Sequence, residues 1–327
     1  MSAFELILPF LRPIEPLILD PEISEIMVNG DRGIFIEKYG RLERVETGNL
    51  SQKSLGVAVR NIARRLGDDI SEEKPILDSR LPDGSRVAVV MPPCSLNGIV
   101  LTIRKFNPKQ LGIEELLSCG TMTEAVATRL QAAILGRQNV LIAGATGCGK
   151  TTLLNALSNL ISKQERVLVI EDTAEINIDM PNLVRLEARR EQGGVPAVTI
   201  RELLKASLRH RPDRILLGEI RGAEAFDLLQ LLNTGHSGTI STVHANSAAQ
   251  ALNRFTSCVL QSGIELPYRA IKSNIADTLN ILLHLDRRPG RRFVSELVEI
   301  SGYDPELDRY ELTPLFIYRE EDQSWLP

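Results

Sequence analysis

The sequence predicts an α/β protein in which a smaller α+β part precedes a larger part built on a mainly parallel sheet. From Thr123 onward, stretches with helical spacing alternate with short β-rich runs, which is typical of a parallel sheet with helices on both faces. Three β-rich runs lead directly into a glycine-rich loop at 144–152, an acidic cluster at 171–175 and Glu219. Because the carboxyl ends of parallel strands meet at one sheet edge, we expect these three features to lie close together.

The N-terminal part has the pattern of several short strands and one helix. Tyr39-Gly40 separates two β-rich stretches and predicts a hairpin. Ser51 is placed to cap a helix whose apolar residues recur at three- and four-residue steps as far as Leu66. Strands are predicted at 33–37, 41–45, 86–90 and 98–104. Strands in series with short turns and one helix indicate an α+β domain.

The chain of 327 residues is long enough for two domains. The pattern changes at residues 105–109, where an Asn-Pro pair interrupts the strands. We therefore assign residues 1–107 to an N-terminal α+β domain, 108–120 to a linker and 121–327 to the C-terminal domain.

Composition and charge narrow the class of protein. A net charge of −4 argues against a chain whose main role is coating DNA or RNA, so nucleic-acid contact is expected to be absent or indirect. The cysteines are far apart in sequence, without a C-x-x-C pair, and indicate reduced cytosolic thiols instead of a zinc site or disulfides. No stretch reaches about 18 consecutive apolar residues, so no membrane-crossing segment is expected.

The first residues leave two interpretations open. An apolar set at the start of the chain consists of Phe4, Leu6, Ile7, Leu8, Phe10 and Leu11. These side chains either pack on their own domain, which is the more frequent case, or form a surface for peripheral attachment to a membrane or partner.

The stretch GATGCGKTT matches the phosphate-binding loop Gly-x4-Gly-Lys-Thr, in the strand-loop-helix context that this motif requires. Its glycines allow consecutive backbone N–H groups to point at phosphate oxygens. Lys150 is expected to place a positive charge near the β and γ phosphates, and Thr151 a hydroxyl on Mg²⁺. The predicted nucleotide-binding residues are Gly144, Ala145, Thr146, Gly147, Cys148, Gly149, Lys150, Thr151 and Thr152.

Two further apolar strands end in carboxylates. Residues 167–170 lead into Glu171, Asp172 and Glu175, and residues 214–217 lead into Glu219. Acids at the tip of a parallel strand suit a water-orienting base or a ligand in the Mg²⁺ shell. The alternatives are a solvated acidic loop for the first stretch and a helix-capping glutamate for Glu219.

The stretch 234–246 contains His236 and His244 around a β-like run. His244 is expected to end that strand at the same sheet edge, where it would contact the γ-phosphate and report it to the next helix. Neither a cysteine nor a further carboxylate lies near in sequence, so a zinc site is not predicted.

Taken together, four motifs in fixed order resemble the secretion ATPases of type II secretion, type IV secretion, conjugal transfer and type IV pili. They are the phosphate loop GATGCGKTT, the stretch IEDTAEI that is similar to the family's Asp box, LLGEIRG that is similar to its atypical Walker B motif, and GHSGTISTVHAN that is similar to its His box. The early segments ISEIMVNG and GIFIEKYGRLERV resemble the family's N-terminal domain. The conjugal-transfer, TrbB-like branch fits best, because the cysteine pairs of the zinc-bearing type II branch are absent from the sequence.

The resemblance implies a RecA-like P-loop NTPase core and a hexameric ring on the cytoplasmic face of the inner membrane, associated with inner-membrane components of a secretion or conjugation apparatus. It implies that ATP binds with Mg²⁺ between the two domains and that hydrolysis drives domain motion. It implies that Lys150 binds the phosphates and that Thr151 and Glu219 hold the metal, partly through water. It further implies that Glu175 and Glu219 lie at the attacking water and that His244 senses the phosphate. The arginines that would neutralise charge on the γ-phosphate are Arg86, Arg104 and Arg211. Solvated strand-end arginines are the alternative for the last three.

Two other functions remain open from sequence. One is a nucleotide-gated assembly protein with little turnover, against which the presence of both Glu175 and Glu219 argues. The other is a DNA-translocating RecA-like ATPase, for which the sequence lacks a basic or aromatic surface. Cys148 replaces the serine common at its position in the family, and we expect it to spare phosphate binding while exposing the protein to thiol reagents. The alternative is a small side chain that is simply tolerated at this position.

Overall fold

The computed structural model describes residues 7–46, 50–106, 111–189, 191, 195–288, 290–319 and 324–326. The chain divides into two compact units, residues 1–108 with 192–194 and residues 109–191 with 195–327. Across these described ranges, no helix combines the length and the apolar character needed to cross a membrane.

The first unit contains a six-stranded sheet in the order β3-β2-β1-β6-β5-β4, antiparallel throughout. Its strands are β1 (Ile23–Asn29), β2 (Ile34–Lys38), β3 (Arg41–Val45), β4 (Ile76–Arg80), β5 (Arg86–Val90) and β6 (Val100–Arg104). Its helices are α1 (Glu15–Leu19) and α2 (Gln52–Arg65). The predicted hairpin is β2–β3, and Ser51 accepts a hydrogen bond from the Ser54 N–H at 3.1 Å as the N-cap of α2. The predicted α+β character is confirmed.

The apolar start of the chain packs on this unit. Ile7 and Leu11 are fully buried in the same core as the inner face of α2 and the sheet. Leu8 and Phe10 pack against that core as partly buried side chains. Of the two interpretations left open from sequence, packing on the chain's own domain therefore holds for these four residues, whereas Phe4 and Leu6 lie outside the described residues.

The second unit is built on a nine-stranded sheet in the order β15-β14-β13-β12-β7-β11-β10-β8-β9. Its strands are β7 (Val140–Gly144), β8 (Val167–Glu171), β9 (Leu183–Glu187), β10 (Arg214–Ile220), β11 (Ile240–Val243), β12 (Ile281–Arg288), β13 (Arg291–Asp304), β14 (Arg309–Arg319) and β15 (Ser324–Leu326). Its helices are α3 (Ile113–Ser118), α4 (Glu124–Leu135), α5 (Lys150–Ser158), α6 (Ile200–Ser207), α7 (Glu224–Asn233), α8 (Ala248–Leu260) and α9 (Tyr268–Thr278). The six strands from β12 to β9 in this order are parallel neighbours, and β13, β14 and β15 extend the sheet antiparallel.

Helices cover both faces of this sheet, as the alternating pattern predicts. Along β7, Val140 and Ile142 face a core shared with α4 and α5, whereas Leu141 and Ala143 face a second core shared with α7, α8 and α9. Both sets of side chains are buried, which explains why the strand is an unbroken apolar run.

Two features of the second unit add to the sequence-based expectations. Residues 113–118, within the segment 108–120 assigned to a linker, form α3, and Leu116 is buried in the core beside α4. The strands β13, β14 and β15 extend the sheet antiparallel in a region where no strand was predicted from sequence.

Candidate active site

The phosphate loop connects the buried strand β7 to α5, which begins at Lys150. Gly147 and Gly149 adopt left-handed φ values of 72° and 101°, which only glycine tolerates readily. At Gly144 a Cβ would lie 2.5 Å from the Cys148 Sγ and 2.6 Å from the carbonyl oxygen of Leu285. The glycines therefore permit the loop to fold against β12 and present the N-terminus of α5, which favours anions.

Lys150 is held at the base of the loop. Its ammonium group donates to the carbonyl oxygens of Gly144 and Ala145 at 2.9 and 3.0 Å and lies 3.3 Å from the His244 Nδ1. Only 8% of the residue is exposed. Burial lowers the pKa of the Lys150 ammonium group, while the charges of Glu219 and Glu175 favour its protonated form.

Glu219 and His244 meet at the tips of β10 and β11. The Glu219 Oε1 is 2.7 Å from the His244 Nε2, and its Oε2 accepts a hydrogen bond from the Arg221 Nε at 2.7 Å. The close contact with His244 does not have hydrogen-bond alignment, so that Oε1 is a buried oxygen lacking a hydrogen-bond partner within the described part of the chain. Such an oxygen is placed to take a metal-bound water or a metal ion.

Glu175 reaches the first turn of α5. Its Oε2 accepts a hydrogen bond from the Thr151 hydroxyl at 3.4 Å. Thr151, Glu175 and Glu219 thus supply a hydroxyl and carboxylates, the hard oxygen ligands that suit Mg²⁺. In the described ranges no three His, Cys, Asp or Glu side chains form a group that could hold a metal ion.

The three predicted arginines are divided between the two units of the chain. Arg86 and Arg104 lie in the first unit, opposite each other on β5 and β6, where the Arg86 Nη2 contacts both carboxylate oxygens of Asp78 at 3.0 and 3.1 Å. Arg211 is exposed, has a φ of 51° and precedes β10. It therefore lies at the amino edge of the second sheet, the opposite edge from Glu219, so any contact with this phosphate loop in the same protomer is excluded by the length of β10.

Sequence reasoning missed two arginines beside the site. Arg221 bridges the tips of β8 and β10, because its Nη1 lies 3.1 Å from the Asp172 Oδ2 while its Nε holds Glu219. Arg292, from β13, donates to the carbonyl oxygen of Gly147 at 2.9 Å. Arg221 follows Glu219 in the sequence motif and was detectable there, whereas the contact of Arg292 spans 145 residues and has no local signal.

Cys148 does not have the reactivity expected from its place in the loop. The residue is 1% exposed, and burial raises the pKa of its thiol. A buried, protonated thiol is a poor nucleophile, so the expected sensitivity to thiol reagents at this position is wrong.

A cleft of about 270 Å³ opens between the loop and the start of α8. It is lined by Ala145, His244, Ala245, Asn246, Gln250 and Arg254. His244 therefore lines this cleft together with Ala145 of the phosphate loop.

Comparisons with known proteins agree with this geometry. The family described as "Type II/IV secretion system protein" matches residues 10–296. This chain belongs to that family. The chain is 33% identical to the conjugal transfer protein TrbB of Rhizobium radiobacter over 288 residues, which cover 87% of this chain and 85% of TrbB. It is 36% identical to the type IV secretion system protein PtlH of Bordetella pertussis over 315 residues, covering 89% of this chain and 93% of PtlH.

A solved structure supports the fold. The ATPase DotB of Legionella pneumophila has a TM-score of 0.58 with this chain at 21% identity, covering 92% of this chain and 82% of DotB. The predicted family is confirmed, and so is the α/β class with a mainly parallel sheet preceded by a smaller α+β part. The chain is thus a type II/IV secretion system protein whose relatives include conjugal-transfer and type IV secretion proteins.

Proposed function

We propose that this secretion ATPase hydrolyses ATP with Mg²⁺ at the phosphate loop and acts as the motor of a conjugal-transfer or type IV secretion apparatus. The observation that carries the proposal is the convergence of Lys150, Glu219 and His244 within 3.3 Å contacts at one sheet edge, beside the Thr151–Glu175 pair. This set contains the groups that phosphoryl transfer to water requires. They are a positive charge that binds the phosphates, a hydroxyl that coordinates the metal, and carboxylates that orient the attacking water.

In the proposed reaction, backbone N–H groups of residues 144–152 bind the phosphates and Lys150 adds a positive charge. Mg²⁺ at Thr151 and Glu219, partly through water, would neutralise charge on the phosphate oxygens. Glu175 and Glu219 orient the attacking water and take its proton, and the γ-phosphoryl group leaves ADP for that water. His244, which lies between β11 and α8, contacts the transferred phosphate and transmits its presence to α8.

We further propose that the protein works as a hexameric ring with domain motion, in which Arg86, Arg104 and Arg211 neutralise charge on the γ-phosphate. The position of Arg211 at the far sheet edge supports a contact with the nucleotide of a neighbouring copy, not its own. The division into a domain at 1–107, a linker at 108–120 and a domain at 121–327 belongs to this proposal. We place the ring in the cytoplasm, peripheral to the inner membrane and in contact with membrane components of the apparatus, with nucleic-acid contact absent or indirect.

The decisive test is Glu219→Gln. This variant keeps the size of the side chain but cannot accept a proton, so it should bind ATP normally and lose at least about 100-fold in turnover. Glu265→Gln, the same change at an exposed position of the same unit, is the matched control and should keep full turnover. Wild-type turnover in Glu219→Gln would remove the proposed role of the acid. Negligible turnover in the wild-type protein, with and without lipid vesicles or DNA, would favour the nucleotide-gated assembly protein instead. DNA-stimulated turnover would favour a translocase.

The ring is tested by sedimentation velocity with and without ATP and Mg²⁺. We expect a hexamer in at least one condition and, in Arg211→Ala, assembly with reduced turnover. A strictly monomeric protein with full activity would contradict a contact in trans.

A further inference from the structure

The segment that carries Glu175 has no regular secondary structure, although it belongs to the active site. Residues 174–180 follow β8 without helix or strand, so their N–H groups do not pair in a helix or sheet ladder. Buried N–H groups need other acceptors. The way this segment satisfies them determines where Glu175 lies.

Four consecutive N–H groups donate to side-chain oxygens. The N–H groups of Glu175 and Ile176 both donate to the Glu171 Oε1 at 2.7 Å. The Ala174 N–H donates to the Glu187 Oε1 at 3.3 Å, and the Asn177 N–H donates to the Asn155 Oδ1 at 3.1 Å. We call the acceptor side chains of Glu171, Glu187 and Asn155 the clasp.

The clasp joins the acidic segment to the phosphate loop. Glu171 and Glu187 end the neighbouring parallel strands β8 and β9. Asn155 lies on α5, one helical turn after Thr151, whose hydroxyl contacts Glu175. The backbone of the segment is therefore anchored on two strands of the sheet and on the helix that follows the loop.

Glu171 is the central member of the clasp. It is 3% exposed and accepts the two shortest of the four hydrogen bonds. Gly218 on β10 leaves room for it, since a Cβ there would lie 3.1 Å from the Glu171 Cγ. Burying a carboxylate is unfavourable unless its oxygens are well satisfied, and the two backbone donors supply part of that compensation.

We propose that Glu171 is a positioning residue: its buried carboxylate holds the backbone at Glu175 and Ile176 and thereby sets the Glu175 carboxylate beside Thr151. The inference rests on the proposed role of Glu175 in ordering the attacking water. Glu171 itself does not touch the nucleotide in this role. It acts on the rate of the chemical step and not on ATP binding, which depends on the loop between β7 and α5.

The test compares three variants with the wild-type protein in steady-state ATPase assays. In Glu171→Ala the two N–H groups lose their acceptor, and kcat should fall about 10- to 100-fold because a small displacement of a reacting group is costly, while KM for ATP stays within about threefold. In Glu171→Gln the amide oxygen accepts the same two bonds, so kcat should stay within about threefold of wild type. Glu265→Ala, at an exposed position, controls for the change of residue type.

A double-mutant cycle shows whether Glu171 acts through Glu175. Glu175→Gln alone should have low kcat. Adding Glu171→Ala should cause no further loss of kcat, because the position of residue 175 no longer matters once its carboxylate has been removed. Independent, multiplying losses would overturn the positioning role. So would a Glu171→Ala enzyme with wild-type kcat, or one that loses ATP affinity as much as kcat.

The outcomes separate this inference from the proposed function. Full turnover in Glu175→Gln would refute the role of Glu175 and the inference with it, whereas low turnover there with wild-type kcat in Glu171→Ala would refute the inference alone. If Glu171→Ala does not fold by circular dichroism, Asn155→Ala tests the same clasp from the helix side. Alanine suits that helical position, and the variant should lose kcat severalfold with KM for ATP unchanged; wild-type kcat would overturn the proposal.

Discussion

Replacing Glu171 by glutamine should stabilise the protein by an amount that grows as the pH rises. Burial raises the pKa of the Glu171 carboxyl to about 7, from an ordinary value of 4.5, because the charged form loses its hydration. The N–H groups of Glu175 and Ile176 and the charge of Arg185 oppose this shift, and the charge of Glu175 adds to it. Glu187 lies opposite Glu171 in the β8–β9 register.

The sign follows from proton binding. Between the two pKa values the folded protein holds a proton on Glu171 that the unfolded chain has released, so stability falls as the pH rises through this window. The folded and unfolded pKa values differ by about 2.5, so ionisation of Glu171 lowers the free energy of unfolding of the wild-type protein by about 3 kcal/mol above about pH 7. At about pH 5 this loss is less than about 1 kcal/mol. Glutamine does not titrate. The stability difference between variant and wild type should therefore grow by about 2 kcal/mol between about pH 5 and pH 8.

Thermal unfolding followed by circular dichroism measures this change. For a unit of this size, about 2 kcal/mol corresponds to a difference in Tm of about 4–8 °C. Wild type, Glu171→Gln and the exposed control Glu265→Gln are compared at both pH values, so that titrations shared by all three proteins cancel. If the Tm difference between Glu171→Gln and wild type is constant with pH, or shrinks as the pH rises, the assignment of a raised pKa to the buried Glu171 carboxyl is refuted.

Two further perturbations probe the phosphate loop. Lys150→Ala should abolish ATP binding, because it removes the charge held between the loop carbonyls and His244. Titration with a fluorescent ATP analogue measures this affinity, and a near-normal value would contradict the assignment of the loop. Gly144→Ala should destabilise the protein by about 1–3 kcal/mol, since its Cβ would collide with Cys148 and the Leu285 carbonyl at a φ of 152°. An unchanged Tm in that variant would show that the loop can rearrange without strain.

Much of the fold was predictable because its signals are local. The apolar run before Gly144 specifies a buried strand, and Ser51 and Thr123 each cap the helix that follows them by accepting an N–H three residues later. The convergence of Glu175, Glu219 and His244 was predictable as well. A parallel sheet brings the carboxyl ends of its strands to one edge whatever the separation of those strands in the chain.

The sequence by itself determined the phosphate loop, the acids at the strand tips and the class of fold, since each depends on residues within a few positions of one another. Only the tertiary structure decided that Glu171 clasps the backbone of Glu175, that Arg292 reaches the carbonyl of Gly147, and that Arg211 lies at the edge away from the site. These contacts depend on strand order, register and the depth of burial, which arise from packing of the whole unit. A residue's neighbours along the chain carry little information about which distant side chain fills the space beside it.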